Sequence, residues 1–322
     1  MAEGVKKKAA FFLRAAVSGT ILFWIFSKLD VHGLLKAVGK ISFETWALAL
    51  LLYLASQLVS SQRWRIIADI LGFSGGYLAF VVFYFVAMFF NLFLPSSIGG
   101  DVLKVFFLSG KGTAGKLKAT YSVFLDRAFG VSAMFLIGAI ALGSCPGDLS
   151  ARWKFFIVTV SVGSILFMVT APFLWKSLEG RKGNKTPANG VIQRFFLPFF
   201  LAWRDPLKVV TVFVLSLAVQ VLGMSAVYFL GSGMGLNLPF TFYLAVLPVI
   251  NIAALLPVSI SGFGVREGAF VYFFTSNGVS LASSVGLSLA MFGMQAAVSL
   301  IGGLGYILGI HKTIHLKGDG VV

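Results

Sequence analysis

Long apolar segments separated by short basic loops account for most of this chain. Crossing the hydrocarbon core of a bilayer as an α-helix takes about 20 apolar residues. Segments near that length are 9–27, 45–62, 78–94, 120–143, 154–175, 207–231, 239–256 and 281–309. Two further apolar pieces, 98–109 and 265–276, are too short to cross. The pattern predicts an all-α polytopic membrane protein.

Two of these segments run into similar interruptions. Residues 91–104 read NLFLPSSIGGDVLK, and residues 251–267 read NIAALLPVSISGFGVRE. Each stretch has an Asn, then Pro-x-Ser-Ile-x-Gly, then charged residues. Proline and glycine break helices and charges are costly in hydrocarbon, so neither stretch is typical of a plain membrane anchor. Paired interruptions in two halves of a chain point to the substrate site of a transporter.

The distribution of basic residues distinguishes two topologies. One has eight full crossings, and the other has about six full transmembrane helices plus two re-entrant hairpins, 78–109 and 239–276. The hairpin topology places 19 of the 26 Lys and Arg residues on the cytoplasmic side. Eight crossings would export the cations of 104–118 and 176–208, against the positive-inside rule. We therefore favour the hairpins, which would enter from opposite faces as an inverted repeat. Two merely kinked helices are the alternative.

This topology defines the predicted organisation of the chain. The prediction is a single integral membrane domain, 1–322, with a first repeat 45–143 containing hairpin 78–109, a cytoplasmic linker 176–206, and a second repeat 207–309 containing hairpin 239–276. Both termini are expected on the cytoplasmic side.

Composition narrows the class of function. The chain is 58% hydrophobic and only 11% charged, which is typical of an integral membrane protein. Its net charge of +15 comes from basic residues scattered among short loops, so nucleic-acid binding is not expected. The single cysteine, Cys145, excludes an internal disulfide and a multi-cysteine metal site. No nucleotide, nucleophile-elbow or zinc motif is found, so we expect no cofactor, no metal and no enzymatic activity.

Arg127 lies within the apolar segment 120–143, about 10 Å from its start. An arginine at such depth suggests a function, and phosphate suits it because guanidinium binds two oxygens at once. The alternatives are a structural ion pair with an acid, or snorkelling to the interface. Asp126 is a poor partner for Arg127, because adjacent helical residues point about 100° apart.

The charges after the two interruptions suggest anion binding at helix N-termini. Asp101 and Lys104 follow a Gly-Gly pair, and Arg266 and Glu267 follow Gly-Phe-Gly. If helices restart there, their N-terminal amides favour an anion. The alternative is that the acids only cap the helices while the cations snorkel.

Three groups of candidate residues result. The predicted headgroup-binding residues are Asn91, Asp101, Lys104, Arg127, Asn251, Arg266 and Glu267. The predicted backbone or hinge residues are Pro95, Gly99, Gly100, Pro257, Gly262 and Gly264. Arg63, Trp64 and Arg65 form either a cytoplasmic lip that gathers lipid phosphates or an interfacial anchor. The intramembrane amides Gln57, Gln220, Asn251 and Gln295 could bind headgroups, but hydrogen bonding between helices is the favoured alternative for each.

The sequence resembles the lysylphosphatidylglycerol synthase transmembrane-region family, also called flippase-like or UPF0104 proteins. The similar blocks are residues 61–65, 91–101, 125–127 and 256–267. Positions that match family motifs are Asn91, Pro95, Gly100, Asp101, Arg127, Gly262, Gly264, Arg266 and Glu267. In this family such a region can be joined to a synthetase domain. This chain is not expected to have that domain, so aminoacyl transfer is not expected.

The resemblance implies a bacterial inner-membrane protein that moves or binds a phospholipid, or a polyprenyl-linked or aminoacylated lipid. The expected partners are membrane lipids, with a homo-oligomer or a lipid-modifying enzyme left open. Two other functions stay open: a non-transporting accessory subunit of a lipid-modifying or glycosyltransferase system, and a transporter of a small soluble anion.

Overall fold

The architecture is given by a computed structural model that describes residues 16–25, 27–93, 99–109, 113–145, 149–180, 191–255, 259, 262–313 and 317–318. The elements are α1 (Ala16–Ile25), α2 (Val31–Val38), α3 (Phe43–Ile70), β1 (Phe73–Ser74), α4 (Tyr77–Phe93), α5 (Gly99–Leu108), α6 (Thr113–Ala141), α7 (Ala151–Gly180), α8 (Val191–Ala202), α9 (Pro206–Gly233), α10 (Phe240–Leu255), α11 (Val265–Thr275), α12 (Leu281–Ile307), α13 (Ile310–Thr313) and β2 (Lys317–Gly318). The two short strands pair antiparallel.

Helices α3, α6, α7, α9 and α12 are each long and apolar enough to cross a membrane. Each coincides with a long apolar segment of the sequence, so the prediction of an all-α polytopic membrane protein is confirmed. Serines set two of the helix starts: Ser42 and Ser280 each accept a hydrogen bond from a backbone N–H in the first turn of α3 and α12. The first predicted span, 9–27, is described only from residue 16.

Helices α4 and α5 fold back on each other, and we call this pair hairpin 1. Near the turn, the backbone N–H of Gly100 donates to the side-chain oxygen of Asn91 at 2.7 Å. Farther from the turn, the rings of Phe83 and Phe107 stack with centroids 4.5 Å apart. The two helices are therefore antiparallel. Residues 94–98, which connect them, lie outside the described residues.

Helices α10 and α11 form hairpin 2 in the same way. Gly262 lies against the backbone of Ala254 near the turn, and the rings of Phe242 and Phe274 lie 5.3 Å apart farther from it. Helix α11 has 11 residues and α5 has 10, so each is about 15 Å long. A bilayer core is about 30 Å thick. Neither short helix can cross it alone.

Helix α12 packs against hairpin 2 along its N-terminal half. Val271 of α11 and Val285 of α12 belong to one apolar cluster, some way from the hairpin turn. Close to the turn, Phe263 packs on Phe292 with ring centroids 5.2 Å apart. Residue numbers rise along α12 while they fall along α11, so the two helices are antiparallel. The turn of hairpin 2 therefore faces the middle of α12.

Hairpin 1 packs against the C-terminal half of the same helix. Val82, toward the open end of the hairpin, lines an apolar groove with Gly305. Asn91, near the turn, lines a cavity with Ser299. The turn of hairpin 1 therefore also faces the middle of α12. The two hairpins approach that point from opposite ends of the helix.

Helix packing in the two halves of the chain is alike. Helices α3, α4, α5 and α6 of the first half correspond to α9, α10, α11 and α12 of the second half. When each helix is replaced by its counterpart, every contact of the following set becomes another contact that the structure also has. The set is α3–α4 and α9–α10, α4–α5 and α10–α11, α5–α6 and α11–α12, α3–α6 and α9–α12, α4–α12 and α10–α6, and α3–α12 and α9–α6. Among the eight helices that are exchanged, the largest contact, α3–α9, maps onto itself. These two long helices are antiparallel, with Lys208 paired to Asp69 at one end and Gly233 against Thr45 at the other.

Candidate functional site

A cavity of about 390 Å³ lies between the two halves, and we call it the central cavity. Its wall is formed by α3, α4, α9, α10, α12 and the first turn of α11. The lining residues are Tyr53, Ser56, Gln57, Ser60, Arg63, Tyr84, Val219, Gln220, Gly223, Met224, Val227, Leu247, Asn251, Ala254, Leu255, Arg266, Met291, Met294 and Gln295. Amide, hydroxyl and guanidinium groups thus face a space that is otherwise walled by apolar side chains.

A second cavity of about 350 Å³ lies next to the hairpin turns, and we call it the tip cavity. Its lining residues are Tyr53, Met88, Asn91, Leu92, Arg127, Leu255, Phe263, Arg266, Phe292, Gln295 and Ser299. Tyr53, Leu255, Arg266 and Gln295 belong to both linings. The two cavities are therefore neighbours that share a wall.

Asp126 of α6 holds two buried cations at once. Its Oδ1 accepts a hydrogen bond from Nε of Arg63 at 2.8 Å, and its Oδ2 lies 3.6 Å from Nζ of Lys104. Arg63 also donates to Ser216 of α9, while the ammonium group of Lys104 lies 3.7 Å from the ring centroid of Tyr84. The cluster joins α3, α5, α6 and α9 and has a net charge of +1.

Arg127, the next residue of α6, turns to a different partner. Its Nε donates to Oδ2 of Asp101 in the first turn of α5. The Arg127 side chain is 38% exposed and lines the tip cavity, whereas that of Asp101 is 11% exposed. The expectation that Asp126 is a poor partner for Arg127 agrees with this geometry, since the two neighbours pair with different helices.

Arg266 and Glu267 form a third group of charges, at the start of α11. Nη2 of Arg266 lies 2.7 Å from Oε1 of Glu267, and the hydroxyl of Ser288 donates to the same oxygen at 3.1 Å. Oε2 of Glu267 accepts from the backbone N–H of Gly264 at 2.7 Å, which stabilises the N-terminus of the helix. The Arg266 guanidinium extends between the rings of Phe263 and Phe292 and lines both cavities.

These three groups contain four cations and three carboxylates, so together they carry a net charge of +1. Burying an ion costs several kcal/mol unless it is paired and hydrogen-bonded. The pairing explains how so many ionised groups are tolerated between apolar helices. It also leaves one positive charge, which an anion in the cavities would balance.

Glycines allow the close approaches at both hairpin turns. Gly100 lies against the backbone of Ala87 in α4, so a side chain at that position would collide. Gly262 and Gly264 have φ values of +80° and +84°, which strongly favour glycine. Gly99 is the first residue of α5. The predicted hinge prolines, Pro95 and Pro257, lie outside the described residues.

The three residues predicted as a lip or an interfacial anchor have different surroundings in the structure. Arg63 and Trp64 are 5% and 0% exposed, whereas a lip or an anchor would expose them. Helix α3 continues to Ile70 and so buries both of them within the bundle. Arg65 is half-buried on the opposite face of α3, where it lines an apolar groove with Gln62 and Tyr77.

The intramembrane amides make different contacts. Gln220 donates to the carbonyl of Gly130 at 3.2 Å, which is the expected hydrogen bond between helices. Asn251 lines the central cavity, and its amide lies 3.7 Å from Sδ of Met134. Asn91 lines the tip cavity while it accepts the hydrogen bond from Gly100. Gln295 lines both cavities.

Sequence reasoning missed the position of Asp126 at the centre of a charge cluster and the position of Tyr53 between the two cavities. Asp126 lies in the similar block 125–127, but both of its partners come from other helices and no local pattern identifies them; no motif marks Tyr53. Among the described residues, no three His, Cys, Asp or Glu side chains are grouped closely enough to hold a metal ion.

The comparison with protein families agrees with the fold and the composition. Residues 11–303 match the family described as the lysylphosphatidylglycerol synthase TM region. No curated protein matches the chain. The matched range spans both hairpins and all of the paired charges described above. The chain therefore belongs to the lysylphosphatidylglycerol synthase transmembrane-region family.

Proposed function

We propose that this protein is a lipid translocator that receives a phosphate-bearing lipid headgroup in the central and tip cavities and moves it across the bacterial inner membrane. The observation that carries the proposal is the meeting of three arginines, Arg63, Arg127 and Arg266, around adjoining cavities between the two halves. Guanidinium groups bind phosphate through paired hydrogen bonds. Membership of a family linked by name to phospholipid metabolism is consistent with such a substrate.

An inverted repeat would give the site access to both sides of the membrane. We propose that hairpins 1 and 2 are re-entrant and enter from opposite faces. Their opposite approaches to the middle of α12, and the exchangeable helix contacts of the two halves, support this arrangement. Secondary transporters use such repeats to expose one site alternately to the two sides.

The proposed mechanism moves the headgroup through protein while the acyl chains stay in the bilayer. A charged headgroup crossing bare hydrocarbon pays a large desolvation cost. The excess positive charge of the site would offset part of that cost in the middle of the bundle. The sequence contains no nucleotide-binding motif, so we propose that movement runs down a lipid gradient or is coupled to an ion gradient.

Leaflet exchange in liposomes tests the proposal. Purified protein reconstituted with fluorescent phospholipids should speed exchange relative to empty liposomes. Arg127→Ala should slow exchange about tenfold, because a charge-assisted contact to phosphate is lost. Arg152→Ala, at an exposed position at the start of α7, should leave the rate unchanged. Exchange no faster than in empty liposomes for several anionic lipids would refute translocation and favour an accessory role.

The topology can be tested separately. In a variant without Cys145, single cysteines are introduced in place of Lys116, beyond hairpin 1, and Ser276, beyond hairpin 2; both positions are exposed. An impermeant maleimide applied to oriented vesicles should label them from opposite sides. Labelling from the same side would remove the inverted repeat and the alternating site that depends on it.

A further inference from the structure

We infer that the headgroup taken by these cavities is anionic, carries hydroxyl groups and has no ammonium group. The inference rests on the proposed function and names the class of lipid that the same site selects. It separates two kinds of cargo that the proposed function leaves open, plain anionic phospholipids and lipids whose headgroup bears an amino acid.

The first argument is that the cavity walls present cations without acids. Arg63, Arg127 and Arg266 line the two cavities, whereas neither lining contains an aspartate or a glutamate among the described residues. The carboxylates that pair with these arginines, Asp126, Asp101 and Glu267, are not among the described residues of either lining. A ligand in either cavity therefore meets guanidinium groups first.

The second argument is that the carboxylates are already engaged. Asp126 is shared between Arg63 and Lys104. Glu267 accepts hydrogen bonds on both of its oxygens, from Arg266 and Ser288 on one and from a backbone N–H on the other. Asp101 accepts from Arg127. An ammonium group would compete with these protein groups for the carboxylates, and a cation that it displaced would be left buried and unpaired.

The third argument concerns aromatic rings, which are the other common partner of an ammonium group. Four aromatic residues line the cavities in the described part of the chain: Tyr53, Tyr84, Phe263 and Phe292. Tyr84 already faces Lys104, and both phenylalanines already face Arg266. A cage for an ammonium group needs several open rings, and the site does not offer them.

Neutral polar groups complete the lining and suit hydroxyls. The central cavity is lined by Ser56, Gln57, Ser60, Gln220, Asn251 and Gln295, together with two tyrosines. Amides and hydroxyls can both donate and accept hydrogen bonds, as a glycerol or sugar hydroxyl requires. An anionic phosphate with a neutral polyol thus matches the net charge of +1 and the remaining hydrogen-bonding groups.

A matched pair of lipids tests the inference. Short-chain phosphatidylglycerol and its lysyl ester share the phosphate and the glycerol backbone, and only the ester carries ammonium groups. Each is titrated against the full-length protein in detergent, with displacement of a fluorescent phosphatidylglycerol as the readout. We expect the lysyl ester to compete at least about tenfold more weakly. Equal or tighter competition by the ester, or no binding of phosphatidylglycerol, would overturn the inference.

A charge-adding variant provides an independent measurement. Gln295→Glu places a carboxylate on the wall shared by both cavities, and we expect it to reduce or reverse the preference between the two lipids. The matched control is Gln62→Glu on the outer face of α3, which should leave the preference as in the native protein. An unchanged preference in a folded Gln295→Glu protein would show that headgroup charge is not read in these cavities.

Two further outcomes separate this inference from the proposed function. If phosphatidylglycerol binds selectively but leaflet exchange is not accelerated, the headgroup assignment stands and translocation is refuted. If lipids of both kinds are exchanged equally fast and bind equally well, translocation stands and the headgroup assignment is refuted. Soluble glycerol phosphate is included as a competitor. If it displaces the fluorescent phosphatidylglycerol as effectively as phosphatidylglycerol itself does, the site binds a small anion, and the assignment of a lipid as the ligand is refuted.

Discussion

Replacing Asp126 by asparagine should be among the most destabilising conservative changes in this protein. The carboxylate compensates Arg63 and Lys104, whose side chains are only 6% and 8% exposed. Removing one partner of a buried ion pair costs about 3–5 kcal/mol, because the other charge is left unpaired. Asparagine keeps an oxygen that can accept from Arg63, so we expect the lower end of that range, about 3 kcal/mol.

The assay is reversible unfolding in mixed micelles, which yields the free energy of unfolding of each variant. Asp69→Asn is the matched control, since Asp69 pairs with Lys208 at the same 2.8 Å distance but its side chain is 51% exposed. An exposed ion pair contributes about 0–1 kcal/mol. The two substitutions make the same chemical change, so the difference between them isolates the effect of burial.

A second substitution tests whether unpaired charge is the cause. Lys104→Met removes the cation but keeps an apolar, polarisable side chain against the ring of Tyr84. In the Asp126→Asn background it should be less harmful than in the native protein, with a coupling energy of about 1 kcal/mol or more. If Asp126→Asn costs no more than Asp69→Asn, or the two substitutions are additive, the account of the buried charge cluster is refuted.

Three further predictions concern glycines and the cysteine. Gly302 lies against the backbone of α4, so Gly302→Ala should cost about 1–3 kcal/mol of unfolding free energy, whereas Gly305→Ala, which meets nothing within 4 Å, should cost close to none. Gly264→Ala should be destabilising by about 1–2 kcal/mol because φ is +84°, and Gly19→Ala, in open space, should be nearly neutral by the same measurement. Burial raises the pKa of the Cys145 thiol, so less thiolate is present at neutral pH. Maleimide should therefore react with Cys145 more slowly than with glutathione, and the rate of this reaction should increase as the pH rises.

The helices were predictable because their signals are local. Apolar length and the Pro and Gly breakers are both read within one segment. The predicted segments 78–94 and 265–276 correspond closely to α4 and α11, which the structure places at Tyr77–Phe93 and Val265–Thr275. The candidate residues Asp101, Arg127, Arg266 and Glu267 were found for a similar reason, since a charge inside an apolar segment is conspicuous in sequence alone.

Arg266 and Glu267 are adjacent in sequence, but the partners of the other buried charges were not predictable, because those pairs form between distant parts of the chain. Arg63 and Asp126 are 63 residues apart, and the sequence suggests a surface position for Arg63 because the apolar run ends just before it. In the structure α3 continues past that point, and the polar residues on its inner face are covered by α6 and α9. A polar residue on a buried helix face and one in a loop look alike in sequence.

The adjacency of Asp126 and Arg127 explains how one helix can serve both cavities. Consecutive helical residues point about 100° apart, so α6 directs its carboxylate to Arg63 at the central cavity and its guanidinium to Asp101 beside the tip cavity. Through Lys104 and Asp101, both contacts also reach α5. A shift of hairpin 1 relative to α6 would therefore disturb the ion pairs at both cavities together. In the proposed translocation, this linkage would let the phosphate pass from one arginine to the next without an uncompensated charge in the bundle.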